Sequence, residues 1–171
     1  MPELSDKVTM KGNPVTLEGN EVQIGADAPN VTLTANDLSA FELSSLKGKT
    51  VILSVVPSLD TGICDLQSKR FNTEAAGLGD GVAIVTISMD LPFAQKRWCA
   101  DTGSDKLMFL SDHKAGAFGE AYGLMIKGAR LLARAVMIVD ADGILRYRQI
   151  VPEIAQEPDY EDALRALKEI A

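Results

Sequence analysis

Residues 50–56 read Thr-Val-Ile-Leu-Ser-Val-Val and stop at Pro57. A β-branched run of this length suits a strand buried in a sheet. Immediately after it, Ile63, Leu66, Gln67, Phe71, Ala75 and Leu78 recur at helical spacing, which predicts a helix from about Thr61 to just before Gly79. A buried strand turning sharply into an amphipathic helix needs an α/β architecture, and the rest of the chain repeats the alternation. Gly81 to Met89 is the next strand. A helix opens at Pro92, where proline fits the first turn, and closes at Gly103. Leu107 to Leu110 is a short strand, and Ala135–Val139 and Ile144–Val151 flank an Asp140-Ala141-Asp142-Gly143 turn.

The last helix is expected from Pro158 to about Ile170, with Tyr160, Ala163, Leu164, Leu167 and Ile170 on its apolar face. Its acids come early and Arg165 and Lys168 late, as the helix dipole favours. At the other end, residues 8–17 alternate apolar and polar on both sides of Gly12-Asn13, the pattern of a β-hairpin, and a short strand follows at Val31–Thr34. The sum is a single domain over residues 1–171. Its expected architecture is a central mixed β-sheet flanked by helices, of thioredoxin-like type, with an N-terminal β-hairpin.

Charge and cysteine count narrow the function. With 17 Lys+Arg against 24 Asp+Glu the net charge is −7, which argues against nucleic acid and anionic membrane surfaces as partners. The first twenty residues have neither a basic start nor an apolar core of a signal peptide, so a reducing cytoplasmic setting is the expectation. Two cysteines, Cys64 and Cys99, are too few for a disulfide scaffold, and with His113 as the one histidine they cannot complete a four-ligand zinc site. Core packing, one structural disulfide and redox chemistry remain open for them. In a reducing compartment a permanent disulfide is disfavoured and a transient catalytic one is not.

Position distinguishes the two thiols. If Thr61 is the N-cap, Cys64 is the third helical residue, where backbone N–H groups lack intrahelical partners and the dipole is positive. Such a place stabilises a thiolate, the reactive form of cysteine. Burial as a small apolar side chain is the plainer alternative for Cys64, and simple helix capping the plainer one for Thr61. The cluster Gly77-Leu78-Gly79-Asp80-Gly81 follows a helix and precedes a strand, the reverse of a phosphate loop. Asp140 to Gly143 lacks the later glutamate of a calcium loop, and His113 reads as a loop residue.

Pro57-x-x-x-Thr61-x-x-Cys64 matches the active-site pattern of peroxiredoxins. Asp90-Leu91-Pro92-Phe93-Ala94-Gln95-Lys96-Arg97, Phe118-Gly119-x-x-Tyr122-Gly123, Leu131-Leu132-Ala133-Arg134-Ala135 and Val151-Pro152-Glu153-Ile154 extend the match over essentially the whole chain. It resembles the thiol peroxidase branch, the atypical two-cysteine peroxiredoxins. The resemblance implies that Cys64 attacks the peroxide and becomes a sulfenic acid, that Thr61 bonds the thiolate or the peroxide, and that Pro57 shields the nucleophile. It also implies that Arg134 activates the site; read without the motif, Arg134 is a charge at a strand end facing solvent. Cys99, 99 − 64 = 35 positions downstream, aligns with the resolving cysteine that closes an intramolecular disulfide with Cys64. Trp98 and Ala100 stand where the family commonly has Phe and Gly beside that cysteine.

Two separate helices seldom hold cysteines within disulfide range, so local unfolding of one or both helix ends is expected during turnover. The resemblance further implies thioredoxin as reductant, alkyl or lipid-like hydroperoxides favoured over hydrogen peroxide, and a homodimer with Cys64 near its interface. No cofactor or metal is called for, because sulfur carries the electrons. Phe93, Met89 and Leu124 are the apolar residues expected to flank the substrate. Two rivals stand beside this reading: a redox-sensing interaction module, and a disulfide oxidoreductase, against which the absence of Cys-x-x-Cys counts.

Overall fold

The computed structural model describes residues 1–4 and 8–171. The expected hairpin is built from β1 (Val8–Met10) and β2 (Asn13–Val15), with Met10 facing Asn13. The turn is therefore Lys11-Gly12 rather than Gly12-Asn13, and both residues have the positive φ of a tight hairpin turn (51° and 79°). Strand β3 (Leu17–Glu18) leaves the hairpin for another sheet. β4 (Thr32–Ala35) and β5 (Ala40–Glu42) form a second antiparallel pair, followed by a 3₁₀ turn over Leu43–Leu46.

The β-branched run becomes β6 (Thr50–Val55), and α1 (Gly62–Ala75) follows with Thr61 as N-cap residue. Next come β7 (Val82–Ser88) and α2 (Pro92–Thr102), the latter closed by Gly103 in the left-handed conformation as expected. β8 (Met108–Ser111) leads into α3 (Ala117–Tyr122), a six-residue helix between two left-handed glycines that helical periodicity is too short to announce. The two-residue strands β9 (Met125–Ile126) and β10 (Leu131–Leu132) pair with β3 in the order β10-β9-β3. β11 (Ala135–Val139), β12 (Leu145–Ile150) and α4 (Tyr160–Ile170) complete the chain, α4 capped by the Asp159 carboxylate on the Asp162 N–H.

The main sheet has seven strands in the order β12-β11-β6-β7-β8-β4-β5, with β6, β7 and β8 parallel and the outer pairs antiparallel. β6 is buried along its whole length because its residues alternate between two cores. Val51, Leu53 and Val55 face Phe118, Tyr122 and Met137, while Ile52 and Val56 join Phe71, Trp98, Ala163 and Leu167. The central mixed sheet, flanking helices and N-terminal hairpin are thus all present. On α1 the buried face is Cys64, Gln67, Ser68 and Phe71, and Leu66, expected on it, is exposed. Among the described residues no helix is long and apolar enough to cross a membrane.

The topology gathers one edge of the sheet. β6 ends at Val55, opposite Ala135 of the antiparallel β11, so Arg134 is delivered beside the loop that leads into α1. β7 ends alongside β6 and is followed by Asp90, which falls at the same edge. Crevices outside the carboxyl ends of parallel strands are where open α/β sheets place their sites.

Candidate active site

Cys64 lies in the first turn of α1, fully buried in the cluster beneath α1, α2 and α4. The Thr61 side chain does not cap the helix. Its single hydroxyl proton is offered to Cys64 Sγ at 2.8 Å, with the Ser58 carbonyl as the other acceptor at 3.1 Å. Thr61 is therefore a helix-start residue by backbone only, and its hydroxyl is turned to the sulfur. Pro57 is buried at the end of β6, where it breaks the strand and keeps the connection to α1 short.

Arg134 is not a solvent-facing charge: it is 1% exposed and the largest fully buried side chain described. Nε donates to the Ile154 carbonyl at 2.8 Å, Nη1 to Gln67 Oε1 at 2.9 Å, and Nη2 approaches Cys64 Sγ at 3.3 Å. None of these three partners is a carboxylate. A buried guanidinium is costly unless an anion meets it, and of its partners only the sulfur can become one. Arginine and threonine together thus aim two donors at the sulfur and stand ready for oxygen atoms arriving beside it.

Several supporting residues escaped the sequence reading. Gln67 occupies an apolar-spaced position on α1 yet is buried, its Nε2 donating to Ser54 Oγ at 2.9 Å while its carbonyl oxygen holds Arg134. A polar residue on the buried face of a helix, three places after a candidate nucleophile, was the available signal. Asp90 ties down the loop before α1: its carboxylate accepts from Ser58 Oγ (2.7 Å), the Leu59 N–H (2.8 Å) and Ser88 Oγ (2.7 Å). Gln95 reaches the same knot through Ser88 Oγ, and Ser111 Oγ donates to the Asp90 carbonyl. His113 meets Ser111 Oγ through Nδ1 at 2.9 Å, as a loop histidine, with no contact to either sulfur.

The N-terminal hairpin reaches the site from behind. Glu153 accepts the backbone N–H groups of Lys11, Gly12 and Ala155 and the Thr9 hydroxyl. These bonds hold its carboxyl down at about 2, well below the usual range. Next to it, Ile154 gives its N–H to the Thr9 carbonyl at 2.8 Å and its carbonyl to Arg134.

Cys99 sits in the last turns of α2, half-buried against the same cluster as Cys64, and both cysteines are free thiols. Its Sγ donates to the Ser104 carbonyl at 3.1 Å. Burial, and after it the charge of Asp105, push this thiol above its ordinary value. Of the apolar residues expected around substrate, Phe93 is exposed at the start of α2, whereas Leu124 is fully buried and both it and Met89 pack on the opposite core. Among the described residues no three His, Cys, Asp or Glu side chains converge to hold a metal ion.

A buried sulfur attended by an arginine and a hydroxyl, on a thioredoxin-like sheet, belongs to the class of thiol-dependent oxidoreductases. The Redoxin family model matches residues 23–164. Thiol peroxidases of Halalkalibacterium halodurans and Bacillus subtilis are 54% and 51% identical to this chain, covering 94% and 95% of it and 96% of their own lengths. Among solved structures, the peroxiredoxin-like protein from Aquifex aeolicus superposes with a TM-score of 0.91 at 39% identity, over 99% of this chain and 100% of its own. The thiol peroxidase from Chromobacterium violaceum shares the fold at 17% identity, with a TM-score of 0.87 over 97% of each chain. The chain belongs to the Redoxin family and, within it, to the thiol peroxidases, and is a peroxiredoxin-type, thiol-dependent peroxidase.

Proposed function

We propose that Cys64 is the peroxidatic cysteine, Cys99 the resolving one, and thioredoxin the reductant that restores both thiols. The observation that carries this reading is the buried Cys64 sulfur between the Thr61 hydroxyl at 2.8 Å and the Arg134 guanidinium at 3.3 Å. A Cys64 thiolate attacks the near oxygen of a hydroperoxide ROOH; the S–O bond forms as the O–O bond breaks. The leaving RO⁻ takes a proton and departs as ROH, with Cys64 left as sulfenic acid. Negative charge moves from sulfur to the leaving oxygen, and donors already aimed at that region stabilise it without rearranging. Pro57 closes the site against water.

The sulfenic acid then condenses with the Cys99 thiol, forming the Cys64–Cys99 disulfide and releasing water. The thioredoxin dithiol reduces that disulfide by exchange and is itself oxidised. Because Cys64 is fully buried and Cys99 is bonded to Ser104, disulfide formation requires the ends of α1 or α2 to unwind. Alkyl and lipid hydroperoxides are the favoured substrates, with exposed Phe93 supplying apolar surface. The working form is a homodimer in a reducing cytoplasm; Leu66, Leu91 and Phe93 are exposed apolar side chains available to such an interface.

Hydroperoxide consumption in the presence of thioredoxin, thioredoxin reductase and NADPH tests the reading. Cys64→Ser is expected to abolish turnover. Cys99→Ser is expected to consume one equivalent of peroxide and then lose thioredoxin-dependent cycling. Full activity in Cys64→Ser refutes the nucleophile, and undiminished thioredoxin-dependent cycling in Cys99→Ser refutes the resolving role.

A further inference from the structure

The residues next to the two cysteines in sequence are bonded to each other in space. Trp98, preceding Cys99, donates its indole N–H to Asp65 Oδ1 at 3.1 Å, and Asp65 follows Cys64. Trp98 is 8% exposed and its ring packs on Phe109 with centroids 5.4 Å apart, so the donor end of this bond is sheltered from water while the Asp65 carboxylate is partly exposed. Asp65 is held from its other oxygen by Lys69 at 2.8 Å. On the α2 side, Thr102 Oγ1 donates to the Trp98 carbonyl at 2.8 Å. The neighbouring cross-link between Asp60 and Arg97, at 3.7 Å with both side chains about two-thirds exposed, contributes little beside it.

We infer that the Trp98–Asp65 hydrogen bond is a latch that sets how fast the Cys64 sulfenic acid is resolved, and so how readily it is overoxidised. The inference rests on the proposed Cys64–Cys99 cycle. Unwinding the start of α1 moves Asp65 with Cys64, and unwinding the end of α2 moves Trp98 with Cys99. Either motion breaks the indole–carboxylate bond. A phenylalanine at position 98 keeps an aromatic ring for Phe109 but has no N–H to donate. Two fates then compete for the sulfenic acid. Once the latch opens it condenses with Cys99, losing water; while the latch stays closed a second hydroperoxide can oxidise it to the sulfinic acid, itself being reduced to ROH. The latch leaves the first oxidation alone, because the hydrogen-bond partners of the sulfur are Thr61 and Arg134, not Trp98 or Asp65.

Trp98→Phe, Asp65→Ala and the double variant are compared with wild type by rapid-quench mass spectrometry. The species counted after a cumene hydroperoxide pulse are sulfenic, disulfide and sulfinic Cys64. Trp98→Phe is expected to form the disulfide about fivefold faster than wild type, the effect of losing one partly sheltered hydrogen bond. The peroxide concentration that converts half of Cys64 to sulfinate should rise by the same factor, while the first oxidation keeps its rate. Asp65→Ala should shift the partition the same way, and the double variant should add nothing to either single one. An unchanged partition in Trp98→Phe overturns the latch, as does an additive acceleration in the double variant, which would mark two unrelated packing effects. Absence of any Cys64–Cys99 disulfide in wild type would instead overturn the underlying cycle.

Discussion

Cys64 and Cys99 border the same apolar cluster from two helices, yet their polar surroundings are opposite. Around Cys64 the polar partners are donors: the Thr61 hydroxyl and the Arg134 guanidinium. Around Cys99 they are an acceptor and a negative charge: the Ser104 carbonyl and Asp105. An acceptor and a negative neighbour favour a sulfur that keeps its proton, the direction in which Cys99 is pushed. The two thiols thus differ in hydrogen-bond polarity, Cys64 meeting donors and Cys99 an acceptor. Position on the helix agrees, since Cys64 is in a first turn and Cys99 in the final turns, where the dipole is unfavourable to an anion.

The strongest way to break this contrast is to remove the donor that carries a full charge. Arg134→Met should slow the reaction of Cys64 with hydroperoxide by about 10²–10³, the usual cost of deleting one well-placed donor to developing negative charge. Stopped-flow oxidation under single-turnover conditions measures it. Gln67 Oε1 and the Ile154 carbonyl also lose their buried partner, so a lower melting temperature should accompany the loss. A fall of less than tenfold would mean that the guanidinium is not what separates the two sulfurs.

A smaller effect comes from the frame that holds the hydroxyl donor. Asp90 fixes Ser58 and Leu59, and the Ser58 carbonyl in turn competes for the Thr61 proton. Asp90→Ala should release this loop, misplace Thr61 and lower the same oxidation rate by about tenfold. Thermal unfolding read alongside separates loop release from global loss of structure. The Cys99 environment should be untouched, so alkylation of Cys99 in a Cys64→Ser background should not change with Asp90→Ala.

How much of this was legible depended on sequence distance. The strand, turn and helix around Pro57, Thr61 and Cys64 are contiguous, and periodicity with turn chemistry found them. The second partner of the sulfur was not visible that way. Arg134 enters from 70 residues away, and only the family pattern singled it out; local reading left it a surface charge. Gln67 looked like one more turn of an amphipathic helix, and Asp90, 32 residues from Ser58, looked like a residue ahead of a helix-opening proline. Their roles arise from strand register, which brings Ala135 opposite Val55 and the end of β7 beside that of β6. The missed elements, among them β5, β9, β10 and α3, are too short for a period of two or 3.6 to repeat. The Leu66 misplacement has a related cause: the buried stripe of α1 follows the polar pair Gln67 and Ser68, and hydrophobicity alone points one residue away from it.

The smallest test addresses the Cys99 side alone. Burial is the larger reason that its proton is held and the Asp105 charge the smaller, so removing the charge should move the thiol only part of the way back toward its ordinary value of 9.0. The sign is fixed. Asp105→Asn removes a negative neighbour, makes the thiolate less unfavourable, and raises its fraction at any pH below the titration. In a Cys64→Ser background, iodoacetamide alkylation of Cys99 at pH 8 should rise by about twofold, because the thiolate fraction there changes in direct proportion to the acid constant. The advantage should vanish above the titration, where both variants are fully ionised, and should shrink in high salt because Asp105 is exposed and its field is screened. If Cys99 of the unsubstituted background already alkylates as fast as an unstructured cysteine peptide, the acceptor half of the contrast fails, and the donors around Cys64 alone distinguish the two sulfurs.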